Sequence, residues 1–117
     1  MKKVYWVSRH KPLPAQVKEL CRLFGQDTVI EVDPNPFSSA EEIVQRFRES
    51  NAQEMVVVAP LSVIAKLTEL GIQPLWAQMN LVPAMTDPNR EVVTNGRVYR
   101  FEEFQRIIRV EVVMQKI

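Results

Sequence analysis

Short apolar runs alternate with stretches of helical period through the first two-thirds of the chain, and nothing else in the sequence restricts the fold so far. Lys3-Val-Tyr-Trp-Val7 is a compact β-rich run. Residues 13–24 follow, with Val17, Leu20, Cys21 and Phe24 at i, i+3, i+4 and i+7 and Gly25 where a helix ends. Residues 28–32 form the second expected strand. Ser39-Ala-Glu-Glu42 has capping-box spacing and opens a helix with Ile43, Val44 and Phe47 on one face. Residues 55–59 are almost wholly apolar, as in a strand covered on both faces. Ser62 is expected to cap a helix with Ile64, Leu67 and Leu70 inward, stopped at Gly71. A fourth strand is expected over residues 74–79. Such an order predicts a parallel sheet with right-handed crossovers.

The last third reads differently. Val92-Val-Thr94 and Arg97-Val-Tyr99 flank Asn95-Gly96, a type I′ hairpin signal. Residues 101–106 suggest a short helical turn, and residues 107–114 a final strand with Ile108, Val110, Val112 and Met114 on one face. The expected class is therefore α/β. It combines a Rossmann-like parallel sheet of about four strands and flanking helices with a C-terminal β-hairpin and antiparallel strand. At 117 residues one domain is expected, with a parallel core over 1–82 and an antiparallel extension over 83–117.

Composition excludes several classes. With 46% hydrophobic and 25% charged residues the chain is globular, not disordered or collagen-like. A net charge of +1 implies no bulk attraction to nucleic acid or to an anionic membrane. The single cysteine, Cys21, permits no internal disulfide and no Cys-rich zinc site, and reads as inert core. No His/Asp/Glu group has metal-ligand spacing, so neither metal nor cofactor is expected. Lys2 and Lys3 precede too short an apolar stretch for a signal peptide, and residues 55–59 fall far short of the ~20 apolar residues of a membrane helix. A cytoplasmic protein is the expectation.

Each of the three glycines is accounted for, two as helix stops and one in the hairpin turn. None follows a strand, so the G-x-G-x-x-G and P-loop phosphate cradles are absent. Prolines follow the strands instead, at Pro12, Pro14, Pro34, Pro36, Pro60 and Pro83. They either terminate strands or stiffen loops at the edge where open α/β sheets bind ligands.

Chemistry concentrates after the first strand, in Ser8-Arg9-His10-Lys11. Arg grips phosphate with a planar fork, Lys acts as a point charge, and His10, the only histidine, can move a proton near neutral pH. The bland reading of His10 is a surface or satisfied structural residue. Pro60, Leu61 and Ser62 sit at a helix N-terminus suited to phosphate, although Ser62 also reads as a plain cap. Asp33 and Asn35 could contact a ribose or simply form a turn. Gln78 and Asn80 end the expected fourth strand and could read a base edge or lie on the surface. Trp6 and Trp76 read as core. Arg97, Arg100, Arg106 and Arg109 alternate with Glu102, Glu103 and Glu111, as on a solvated or interface strand pair.

Arg9-His10 after a first strand is similar to the start of the histidine phosphatases. Lys11 stands where that family has glycine, and a second histidine is lacking, so the resemblance fails. Over about residues 4–82, Val7-Ser-Arg-His10, Met55-Val-Val-Val-Ala-Pro-Leu-Ser62 and Pro74-Leu-Trp-Ala-Gln78 resemble the small stand-alone CRISPR-associated ring nucleases. One branch of that family begins Thr-Arg-His-Pro-Gly. Here Ser8 replaces the threonine and Lys11-Pro12 replaces Pro-Gly. The resemblance implies metal-independent cleavage of cyclic oligoadenylate messengers by in-line attack of a ribose 2′-OH. It makes His10, Arg9 and Ser8 catalytic. Lys11, Asp33, Asn35, Pro60, Leu61, Ser62, Gln78 and Asn80 then contact the ligand. A homodimer would match a two-fold ring. Two other readings remain at this point: a nucleotide sensor or sponge that releases its ligand intact, and an interaction protein working through its C-terminal strand.

Overall fold

The computed structural model describes residues 2–117. Among the described residues, three helices and six strands follow one another as β1 (Lys3–Val7), α1 (Pro14–Phe24), β2 (Val29–Asp33), α2 (Ala40–Glu49), β3 (Glu54–Val57), α3 (Leu61–Glu69), β4 (Leu75–Val82), β5 (Glu91–Thr94) and β6 (Arg97–Arg106). All strands join one sheet in the order β2-β1-β3-β4-β6-β5. The first four run parallel, and β6 and β5 add antiparallel pairs at one side. The architecture is a mixed α/β sheet.

Alternation in β1 sets the layers. Tyr5 and Val7 join Met55 and Val57 beneath α2 and α3, which contribute Ile43, Val44, Ile64 and Leu67. Val4 and Trp6 face the other way, with Val56, Leu75 and Leu20 of α1. Because both faces are covered, β1 needs a continuous apolar run rather than an alternating one. Leu20, Ile64 and Leu67 are fully buried, and each such side chain contributes roughly 1.5–3 kcal/mol by leaving water.

Helix α1 is rotated from the expected face. Gln16 and Leu20 are buried, whereas Val17 is exposed and Cys21 half-buried. The cause is polar. The Gln16 side-chain carbonyl accepts from the Leu13 amide at 2.8 Å, closing the first turn, and its Nε2 lies 3.8 Å from Met79 Sδ. At α2, Ser39 caps the Glu42 amide as expected, while the Glu42 carboxylate reaches Ser38. At α3 the expected cap fails. Pro60 occupies that position, its carbonyl accepts from the Val63 and Ile64 amides, and Ser62 lies exposed within the first turn.

The extension departs most. Residues 101–106 belong to strand β6, not to a helical turn. Phe101 and Phe104 have helical spacing, but an irregularity opposite Gln78 and Met79 inserts an extra residue in β6. That bulge brings the two rings together, 4.9 Å apart, with Phe104 edge-on to Trp6 at 6.3 Å. The hairpin turn is as expected, with Asn95 and Gly96 both at positive φ. The expected final strand is absent: residues 107–117 form no strand. A strand needs a neighbour, and the Ile107 amide, bonded to the Pro74 carbonyl, is the last backbone group of this arm to find one among the described residues.

Candidate functional site

Strand β1 lies between β2 and β3, so the crossovers through α1 and α2 depart to opposite sides of it. In open α/β sheets the crevice above such a reversal is where ligands bind. The loop carrying Ser8, Arg9, His10 and Lys11 rises from this point. It is fixed from below: the indole N–H of buried Trp6 donates to the His10 carbonyl at 2.8 Å, and the His10 amide donates to Ser8 Oγ at 3.2 Å. The backbone is therefore held while Arg9, His10 and Lys11 are exposed. Their side chains form no hydrogen bond or ion pair among the described residues. The two cations on either side of His10, and its imidazole, thus remain open to an anion.

Two clefts flank this loop. The smaller, about 320 Å³, runs between Ser8, Arg9 and His10 on one side and Asp33, Asn35 and Phe37 on the other. The larger, about 530 Å³, lies on the side of the antiparallel extension. Its apolar lining includes Trp6, Trp76, Met79 and Tyr99, with Ser8, His10, Lys11 and Gln78 as polar groups. Strand pairing explains it. β3 and β4 pair at a single position, Val56 with Leu75, while β4 follows β6 for its whole length. Beyond Leu75 the two strands part, and the cleft fills the opening. Its volume and its mix of apolar walls with few polar groups suit a small ligand.

Asp33 is less available than the sequence suggests. The Tyr5 hydroxyl donates to its Oδ2, the Asn35 amide donates to Oδ1 at 2.9 Å, and Arg46 approaches to 3.5 Å. Burial alone would raise the Asp33 pKa, but the Tyr5, Asn35 and Arg46 contacts outweigh it and hold the carboxyl below its ordinary value. Burial, reinforced by the neighbouring Asp33 charge, pushes the Tyr5 phenol up. Arg46 also donates to the Pro36 carbonyl at 2.8 Å and to Glu42 at 2.7 Å. This cluster anchors the β2–α2 loop and shapes the smaller cleft from beneath.

Of the residues singled out in the sequence, Ser8, Arg9, His10, Asp33 and Asn35 meet at the smaller cleft, and Ser8, His10, Lys11 and Gln78 at the larger. Ser8 and His10 border both. Gln78 and Asn80 do not end a strand, because β4 continues to Val82. Asn80 lines neither cleft and accepts from Gln78 Nε2 at 3.1 Å. Pro60, Leu61 and Ser62 also line neither. Trp76, expected in the core, is 37% exposed and lines the larger cleft. Tyr99, Val92 and Thr94 were missed. Asn95-Gly96 fixes the register that pairs Val92 with Tyr99 and Thr94 with Arg97, so their shared side was readable from the turn.

Among the described residues no three His, Cys, Asp or Glu side chains cluster as metal ligands, and no helix is long and apolar enough to cross a membrane. The chain matches no family model, and no match is found among curated proteins or solved structures.

Proposed function

We propose that this is a Rossmann-like, cytoplasmic nucleotide-processing domain that cleaves cyclic oligoadenylates without a metal. The observation that supports this reading is the placement of His10 and unpaired Lys11 at an aromatic-lined cleft of about 530 Å³, with unpaired Arg9 on the same loop at the neighbouring cleft of about 320 Å³. Adenine presents a flat apolar face to the accessible rings Trp76 and Tyr99, and the adjoining phosphate meets the cations. The ribose 2′-oxygen attacks phosphorus in line, the bond to the 5′-oxygen breaks, and a 2′,3′-cyclic phosphate and a free 5′-hydroxyl result. His10 takes the 2′-hydroxyl proton or delivers one to the departing oxygen, a role worth ~10²–10⁴ in rate. Arg9 and Lys11 offset the extra charge on the phosphorane. Ser8 tethers the His10 amide and thereby positions the loop.

A second reading rests on one observation: no carboxylate orients the His10 ring among the described residues. On that reading the same groups hold the ligand and release it intact. Incubation with a panel of cyclic oligoadenylates in EDTA, followed by chromatography and mass spectrometry, separates the two. Linear products ending in 2′,3′-cyclic phosphate support cleavage. Intact ligand co-eluting with the protein supports a sensor or sponge, and neither binding nor cleavage removes both. With cleavage established, His10→Ala should lower the rate by ~10²–10⁴ and leave binding nearly unchanged. An equal loss of binding would make His10 a positioning residue.

A further inference from the structure

The arm over residues 107–117 leaves large apolar side chains in water. Ile108 is 58% exposed, and Val112, Val113 and Met114 exceed this. Only Ile107 and Val110 pack partly against the protein's own core. From residue 108 onward no backbone N–H or C=O of the arm bonds to another described residue. Its composition is nonetheless that of a strand, rich in Ile and Val. Arg109 and Glu111 already pair at 2.9 Å across i, i+2, as same-side neighbours of an extended chain do.

The order of these residues specifies a partner. Laid antiparallel on a second copy about a two-fold axis at Val110, the arm sets Ile107 opposite Val113, Ile108 opposite Val112 and Arg109 opposite Glu111. Every apolar residue from 107 to 113 then faces an apolar one, and each charge faces its opposite. Directly opposed pairs are the unit of strand stabilisation, and like charges there are unfavourable. A two-fold contact requires this kind of self-complementarity, which an arbitrary β-rich segment lacks. A bare two-stranded ribbon is marginal in water. Here each strand is also moored to its own core through Ile107 and Val110.

We infer that residues 107–113 form an antiparallel, two-fold strand pair with the same segment of a second copy, making the protein a dimer through its C-terminal arm. This is independent of what the clefts bind. The test is sedimentation velocity on the full chain over a concentration series, for the wild type, Arg109→Glu, Glu111→Arg and the double exchange. Each single reversal sets two like-charge pairs face to face by symmetry. It should weaken the dimer about tenfold or more, and the double exchange should restore it. Circular dichroism should show all four folded alike, since the altered side chains are exposed. A wild type that stays monomeric overturns the inference. So does a dimer indifferent to the single reversals, or a double exchange as weak as either single.

Discussion

The parallel half and the antiparallel extension are held together by different physics. Around β1 and β3, helices cover both faces of the sheet and stability comes from apolar side chains that meet no water: Val4, Leu20, Met55, Ile64 and Leu67. In the extension, polar clasps do more of the positioning. Glu91, a buried carboxylate, accepts from the Thr86 and Asp87 amides at 2.7 Å and from Arg100 at 2.9 Å, folding the preceding loop onto the hairpin. That loop in turn accepts the Ala15 amide at the Asn89 carbonyl, tying the extension to the start of α1. A region built on burial resists local opening, whereas one built on a few clasps can adjust piece by piece. The larger cleft lies along the seam between them, with one wall rigid and the other adjustable.

The strongest way to break this contrast is in the parallel half. Leu20→Ala removes a side chain wedged between α1 and β1 and should cost ~2–5 kcal/mol in urea unfolding. Val17→Ala, one helical turn away but exposed, should fall within ~0.5 kcal/mol. Equal losses at the two positions would contradict the rotation of α1 about Gln16.

A smaller, local effect is expected in the extension. The Asp87 and Thr86 amides, aided by Arg100 and opposed by burial, lower the Glu91 pKa from 4.5 to about 2. Because the folded value lies below the unfolded one, the clasp contributes fully above pH 4.5 and is lost as pH falls toward 2. Protection of the Thr86 and Asp87 amides, measured against their intrinsic exchange rate at each pH, should therefore fall across that interval while the β1 amides stay protected. Glu91→Gln should show fast exchange at those two amides even at neutral pH. Loop amides whose protection ignores both acid and substitution would remove the clasp from the account.

The same division explains what the sequence makes legible. In the parallel half one periodicity decides each element, so β1, β2, β3 and all three helices are readable to within one or two residues. The misreadings there concern polar detail, where Gln16 turns the α1 face and Pro60 displaces Ser62 as cap. In the extension, pattern and structure separate because the deciding features are long-range. The β6 bulge gives Phe101 and Phe104 a helical spacing within a strand. The β-rich arm reads as a strand and has no strand partner among the described residues. The candidate site divides likewise. Ser8, Arg9, His10 and Lys11 are visible from their position after an apolar run. Tyr99, Val92 and the exposed side of Trp76 emerge only once β4 parts from β3.

The central claim is that a nucleotide sits in the seam, its base among aromatic rings and its phosphate on the loop after β1. Both tryptophans of the chain, Trp6 and Trp76, line that cleft, so their fluorescence reports its occupancy directly. Titration of the full chain in EDTA with cyclic oligoadenylates should give a saturable change in tryptophan emission. In the Arg9→Ala/Lys11→Ala variant that change should be strongly weakened. A flat signal up to the solubility of the ligand, or a change that survives loss of both cations, would contradict the account.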